Sequence, residues 1–357
     1  MKFNINKLSQ KFSKTFFLAL FATVFAFNLA NAQDKPAEGA KKEENIGDII
    51  LHHVGDSHEW HFFSVGETHI TLPLPVILYS DNGLDVFSSS AFHHGKESVR
   101  KGSNIYQLDS HDHIKETSGK KIYDISITKN VASLFLSIIL LIIVFTSIAG
   151  AYKKNQGQAP KGMQSFFEPI VVFVRDEVAK KNIGPKYERY MPYLLTLFFF
   201  IWFNNLLGLM PGGANVSGNI AVTLVLSVLT LIITLVTSNK NYWGHILAMP
   251  GVPKLVLLIL TPVEILGIFT KPFSLMIRLF ANITAGHIVI LSFICLIFIF
   301  KNAVVGAAVV PLVVAMNCLE LFVALLQAYV FTLLTAIYFG SSVEEHHHED
   351  EKHSVAH

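Results

Sequence analysis

The sequence predicts an all-α polytopic membrane protein with about five membrane passes, preceded by a small extracytoplasmic domain that contains β-strands. Three observations predict it. Hydrophobic residues make up 52% of the 357 residues and charged residues only 15%, with mean hydropathy +0.47; a soluble fold carries roughly a quarter charged residues. From Val131 onward, apolar runs recur that are long enough for the roughly 20 helical residues a hydrocarbon core requires. Basic residues gather on alternate connections between those runs, as cytoplasmic loops do. The net charge of +2 gives no support for nucleic-acid binding. The two cysteines, Cys295 and Cys318, lie inside apolar runs, which argues against a disulfide framework or a Cys-ligated zinc site.

Residues 1–32 read as a signal peptide. Lys2, Lys7, Lys11 and Lys14 precede the apolar core Phe16 to Phe27, and Ala30-Asn31-Ala32 is a small-x-small cleavage site. An uncleaved anchor is the alternative. Residues 33–45 are charged and lack apolar period, the composition of a flexible tether. Residues 46–125 form the extracytoplasmic domain, with a hairpin expected where Val76–Tyr79 and Leu84–Phe87 flank Ser80-Asp81-Asn82-Gly83.

The membrane domain, 126–342, holds spans near 131–151, 193–209, 220–236, 255–300 and 303–339. The last two are unusually long. At 1.5 Å per residue, 46 helical residues reach roughly 70 Å and 37 reach roughly 55 Å, against a hydrocarbon core about 30 Å thick. These segments must tilt, kink or run partly along the surface, and Pro262 and Pro272 mark where the first could break. Together they make a long hairpin. Residues 152–190 carry Lys153, Lys154, Lys161, Arg175, Lys180, Lys181, Lys186 and Arg189, which marks a cytoplasmic face. Five passes then put the N-terminus outside and the C-terminus inside, in agreement with the signal peptide. Residues 343–357 are a charged cytoplasmic tail.

Ionisable groups inside apolar runs carry the chemistry. An arginine at a helix centre costs about 2.5–3.5 kcal/mol on insertion scales and cannot shed its proton. Arg278, apolar on both sides, therefore needs an anion or a wet cavity; a structural pair with Glu264 or Glu320 is the alternative. His287 and Glu320 lie one on each long segment, and an imidazole beside a carboxylate can pass a proton near neutral pH. Asn282 follows Arg278 by four residues, Gln327 follows Glu320 by seven and Tyr338 follows Gln327 by eleven, which sets polar stripes along the helices. Thr270 and Ser274, four apart, approach Arg278 in the same way, although hydroxyls also bond back to their own helix.

Three stretches resemble subunit a of the F-type ATP synthases. Lys271-Pro-Phe-Ser-Leu-Met-Ile-Arg278-Leu-Phe-Ala-Asn282-Ile-Thr-Ala-Gly-His287 resembles its signature stretch, Leu326-Gln327-Ala-Tyr-Val-Phe-Thr-Leu-Leu-Thr-Ala-Ile-Tyr338 its final helix, and Phe203-Asn-Asn-Leu-Leu-Gly-Leu-Met-Pro211-Gly the end of its second span. The resemblance runs through most of residues 122–342. It implies a non-catalytic proton channel and stator subunit of the bacterial inner membrane, without a cofactor, working with a c-ring, the peripheral-stalk subunit b and the rest of the complex. Arg278 matches the arginine that faces the c-ring carboxylate. Asn282, His287, Glu320 and Gln327 match the half-channel open to the outside, in the His/Glu arrangement of mitochondrial forms. Ser274, Lys271, Thr270 and Glu264 match the cytoplasmic half-channel or its mouth. No GxxxxGK[ST] loop occurs, so ATP chemistry belongs to other subunits.

The N-terminal domain departs from the family pattern by its length and its histidines. His52, His53, His58 and His61, with Asp56 and Glu59, are candidate ligands for Zn²⁺ or Cu²⁺; a solvated face or packing against a partner subunit is the alternative. The rival reading for the membrane domain is a proton-coupled secondary transporter, which predicts an internal repeat that the sequence lacks.

Overall fold

A computed structural model of the chain describes residues 55–65, 68–92, 97–109, 112–154, 156–210, 212–247, 252–300 and 302–343. The expected signal peptide and tether, His52, His53 and the charged tail lie outside the described residues. The architecture is mostly helical, with five helical segments long and apolar enough to cross a membrane and small β-sheets before them. The chain divides into two compact units, each assembled from three stretches.

The first unit takes in the described residues up to Leu140 with Phe203–Asn219 and Asn282–Ala324. Its strands are β1 Glu59–Val65, β2 Thr68–Pro73, β3 Pro75–Ser80, β4 Gly83–Ser88, β5 Val99–Lys101, β6 Asn104–Leu108, β7 Ile114–Glu116 and β8 Tyr123–Asp124. They form three antiparallel sheets ordered β1-β2, β4-β3-β8 and β5-β6-β7. The hairpin expected around Asn82-Gly83 is β3–β4, closed by the Ser80–Gly83 pair; Gly83 takes φ +117°, which side chains rarely adopt. Strand alternation sends Val76 and Leu78 inward against Phe92, Tyr106 and Ile114. Two polar groups at this core are paired: Tyr106 OH donates to Asp85 Oδ2 (2.6 Å) and Asn104 Nδ2 to Ser80 Oγ (3.0 Å).

The strand domain leads directly into α1, Lys129–Lys154. The backbone N–H groups of Lys129 and Asn130, which an isolated helix would leave unpaired, donate to Ser57 O (2.9 Å) and Asp56 Oδ1 (3.1 Å). Next to them, His58 Nε2 lies 2.8 Å from Asp124 Oδ2. Burial alone lowers the His58 pKa, but the hydrogen bond and charge of Asp124, with a smaller contribution from Asp112, outweigh it and hold it above 6.5. Burial opposes ionisation of Asp124 too, yet His58 and Ser126 bring its pKa down to about 2.

The remaining helices are α2 Met163–Phe173, α3 Lys181–Ile183, α4 Tyr187–Gly208, α5 Ile220–Thr237, α6 Lys240–Leu247, α7 Lys254–Phe300 and α8 Ala303–Val343, with a π-helical stretch at Val174–Lys180 between α2 and α3. Helix α7 continues through Pro262 and Pro272 without a break: each proline removes one backbone donor, and the surrounding ladder keeps the helix in register. The stretch read from the sequence as a basic cytoplasmic connection is largely helical. Phe167, Val174 and Val178 recur at helical spacing and are buried, while Arg175, Lys180 and Lys181 point outward.

Burial in α1 and α5 is inverted relative to a soluble protein. On α5 the buried residues are Thr223, Ser227, Thr230 and Thr234, whereas Val225 is 57% and Val236 78% exposed. On α1, Ser133 and Ser137 are buried and Ile142 and Ile143 exposed. The α5 hydroxyls stay satisfied by donating to carbonyls one turn back, at 2.7–3.1 Å. Small polar residues inside and large aliphatics outside are what a hydrocarbon solvent selects. This chain is a multi-pass membrane protein.

The second unit comprises Leu141–Trp202, Ile220–Ala281 and the described residues from Leu325. Its core joins Val178, Ile183, Tyr190 and Leu194 to Ala336, Phe339 and Val343, with the Tyr190 and Phe339 rings 4.7 Å apart. The end of α8 is closed by Asn239, whose backbone N–H and Nδ2 donate to Ser342 O (2.9 Å) and Val343 O (3.0 Å). At Gly340, a Cβ would lie 1.9 Å from Asn182 O, so only glycine permits the approach of α8 to α3.

Candidate functional site

In the first unit the structure brings together one pair that the sequence singled out. His287 on α7 and Glu320 on α8 are separated by 33 positions, yet His287 Nδ1 lies 3.4 Å from Glu320 Oε1. Glu320 is 3% exposed, and among the described residues neither of its carboxylate oxygens finds a hydrogen-bond donor. A buried carboxyl without such partners is costly and therefore informative. The contact depends on Gly286, where a Cβ would sit 2.9 Å from Glu320 Oε1. The end of α4 completes the surroundings. Asn205 Nδ2 donates to Ala324 O at 3.1 Å, one turn beyond Glu320, and a Cβ on Gly208 would lie 3.9 Å from His287 Nε2.

In the second unit, Lys271 Nζ lies 5.6 Å from the centre of the Tyr338 ring, a cation–π contact between α7 and α8. Gln327 is buried and Tyr338 half-buried. Thr270 donates its hydroxyl to Gly267 O at 3.1 Å, so this side chain is bonded back to its own helix. Glu264 is half-buried, and Ser274 is exposed. Arg278 is exposed on α7 and forms no ion pair or hydrogen bond among the described residues. Four positions on, in the first unit, Asn282 is exposed too. Within the second unit, α7 thus presents Ser274 and Arg278 outward, four residues apart, among apolar neighbours.

Of the candidate metal ligands, His58 is engaged with Asp124 and His61 is exposed on β1. Among the described residues no cluster of three or more metal-donor side chains occurs.

The profile of the ATP synthase A chain family matches residues 132–340. The chain belongs to the ATP synthase subunit a family. ATP synthase subunit a 2 of Chlorobaculum tepidum is 41% identical over 326 residues, covering 89% of this chain and 79% of that protein. ATP synthase subunit a of Chlorobium phaeobacteroides is 39% identical, covering 88% and 80%, and subunit a 2 of Prosthecochloris aestuarii 39%, covering 94% and 93%. Residues 49–134 match a domain of unknown function, DUF8433. As a member of the subunit a family, the chain is a non-catalytic membrane component of the ATP synthase complex with a stator role in proton translocation.

Sequence reasoning missed Asn205, Gly208 and Gly286. The Asn204-Asn205 dipeptide inside an apolar span was the available signal for the first, since buried amides in lipid need partners. The two glycines carry no chemical signature; their role is the absence of a side chain.

Proposed function

We propose that the chain forms two offset half-channels that deliver protons to, and remove them from, a carboxylate on a rotating c-ring. The observation that carries the reading is Arg278: a permanent cation exposed on the middle of a 47-residue apolar helix, without an anion partner among the described residues. A guanidinium at that depth is stable only beside an anion or water, and an acidic side chain on a neighbouring protein supplies the anion.

The outer path runs through His287 and Glu320, with Asn282 and Gln327 along it. A buried carboxyl and an imidazole 3.4 Å apart can pass a proton once they close to hydrogen-bond distance or a water bridges them. The inner path uses Ser274, Lys271, Glu264 and Tyr338, with Thr270 at its margin. A proton from Glu320 neutralises the ring carboxylate, which then turns through lipid and releases the proton to the inner path because Arg278 favours its ionised form. The same charge blocks a direct leak. In this reading the signal peptide is removed, the N-terminus is periplasmic and the C-terminus cytoplasmic in a bacterial inner membrane, and the stalk subunit b holds the chain static.

The deciding experiment is Arg278→Ala in native membranes. Proton-driven ATP synthesis is lost while assembled complex persists; synthesis at a tenth or more of the wild-type rate would overturn the reading.

A further inference from the structure

We infer that Trp60, in the strand domain of unassigned function, is a positioning residue for proton uptake at the His287–Glu320 pair, acting through the turn that joins α4 to α5. The inference rests on the reading of that pair as the outer path. Trp60 lies on β1, is 7% exposed, and donates its indole Nε1–H to Gly212 O at 2.7 Å. Gly212 takes φ +71° in that turn.

The turn has little freedom. A Cβ on Gly213 would lie 2.1 Å from Leu207 O and 2.7 Å from Met210 O, so its backbone is folded directly onto the end of α4. From there contact passes to the site. A Cβ on Gly208 would meet Ala214 O at 3.5 Å and His287 Nε2 at 3.9 Å, which puts the last turn of α4 against both the loop and the imidazole. Asn205, three residues earlier, bonds Ala324 O on the helix that carries Glu320. The end of α4 therefore touches both helices of the pair, and the loop that follows it is tied down by Trp60.

This tie matters because the separation of the pair sets whether a proton can pass. At 3.4 Å, His287 Nδ1 and Glu320 Oε1 lie beyond the usual 2.7–3.2 Å range for N–H···O hydrogen bonds, so proton transfer depends on the surroundings that position these two side chains. Phenylalanine and histidine both fill less space than the indole, so a packing role alone would penalise both, whereas only histidine keeps a ring N–H. The indole N–H is what distinguishes tryptophan from phenylalanine here.

The test uses the whole ATP synthase in its native membrane. Trp60→Phe keeps an aromatic ring and removes the donor. It is expected to assemble to wild-type amounts, to lower proton-driven ATP synthesis about two- to twelvefold, the range set by one hydrogen bond, and to shift the midpoint of the rate against outer pH. Trp60→His, which restores a ring N–H, recovers most of the loss. Wild-type rate and midpoint in Trp60→Phe overturn the inference, and so does failure of Trp60→Phe to assemble, which would make Trp60 a folding residue. Glu320→Gln is measured alongside. If it leaves proton transport intact, the reading of the site itself fails; if it abolishes transport while Trp60→Phe is normal, only the role of Trp60 fails.

Discussion

Gly286→Ala separates function from stability at the proposed outer path. The added Cβ would lie 2.9 Å from Glu320 Oε1, 3.2 Å from Cδ and 3.5 Å from Cγ. Ordinary contact begins near 3.4 Å, so the carboxylate must retreat by about 0.5 Å while the backbone of α7 stays in place. Alanine is favoured over glycine in a helix interior by roughly 0.8–1 kcal/mol, which offsets much of the cost of moving one side-chain end. The fold is therefore expected to keep its stability. Function is not: a misplacement of 1 Å costs about a hundredfold in positioned chemistry, so about 0.5 Å costs roughly tenfold. ATP synthesis driven by an imposed proton gradient in membrane vesicles, normalised to assembled complex, reads the effect. Glu320→Asp withdraws the carboxyl by one methylene, so the double variant is expected to lose less than the two single losses combined. Wild-type synthesis in Gly286→Ala, or strict additivity in the double variant, would refute the reasoning.

Two further outcomes test the scaffold. Gly340→Ala places a Cβ 1.9 Å from the backbone oxygen of Asn182, which cannot swing away, so the variant is expected to lose most assembled complex; normal assembly on native gels would show that α8 and α3 can separate without cost. The His58–Asp124 pair predicts a pH window. The raised His58 pKa contributes stability below 6.5 that is lost as pH rises through the folded value, and the Asp124 pKa of about 2 contributes stability above 3.8 that is lost as pH falls. The contribution of this pair is thus greatest between about pH 4 and 6.5, roughly 1–2 kcal/mol after allowance for the partial exposure of Asp124. Hydrogen exchange of β1 and β8, corrected for intrinsic pH dependence, is slower at pH 5.5 than at pH 8.5, and His58→Gln removes the difference; equal protection at both values in the wild type would contradict the pair.

How far the sequence could be read is clearest from particular residues. Arg278, His287 and Glu320 were legible because an ionisable group in an apolar run is costly wherever the helices pack, and that cost is a local property of the chain. The hairpin at Asn82-Gly83 was legible for the same reason, since its turn geometry is set by adjacent residues. The helix at 163–183 was harder, because its basic residues masked an apolar stripe that becomes evident once Phe167, Val174 and Val178 are seen buried together.

By itself, then, the sequence determined the number of apolar segments, the polar groups set among them and the family to which the chain belongs, all of which follow from transfer energies and motifs that act along the chain. Only the tertiary structure decided that His287 faces Glu320, that Asn205 bonds Ala324, that Trp60 holds Gly212 and that Gly286 and Gly340 must stay bare. These contacts join residues far apart in sequence, and two of the deciding residues act by lacking a side chain. Neither distance across the fold nor empty space is written into local composition.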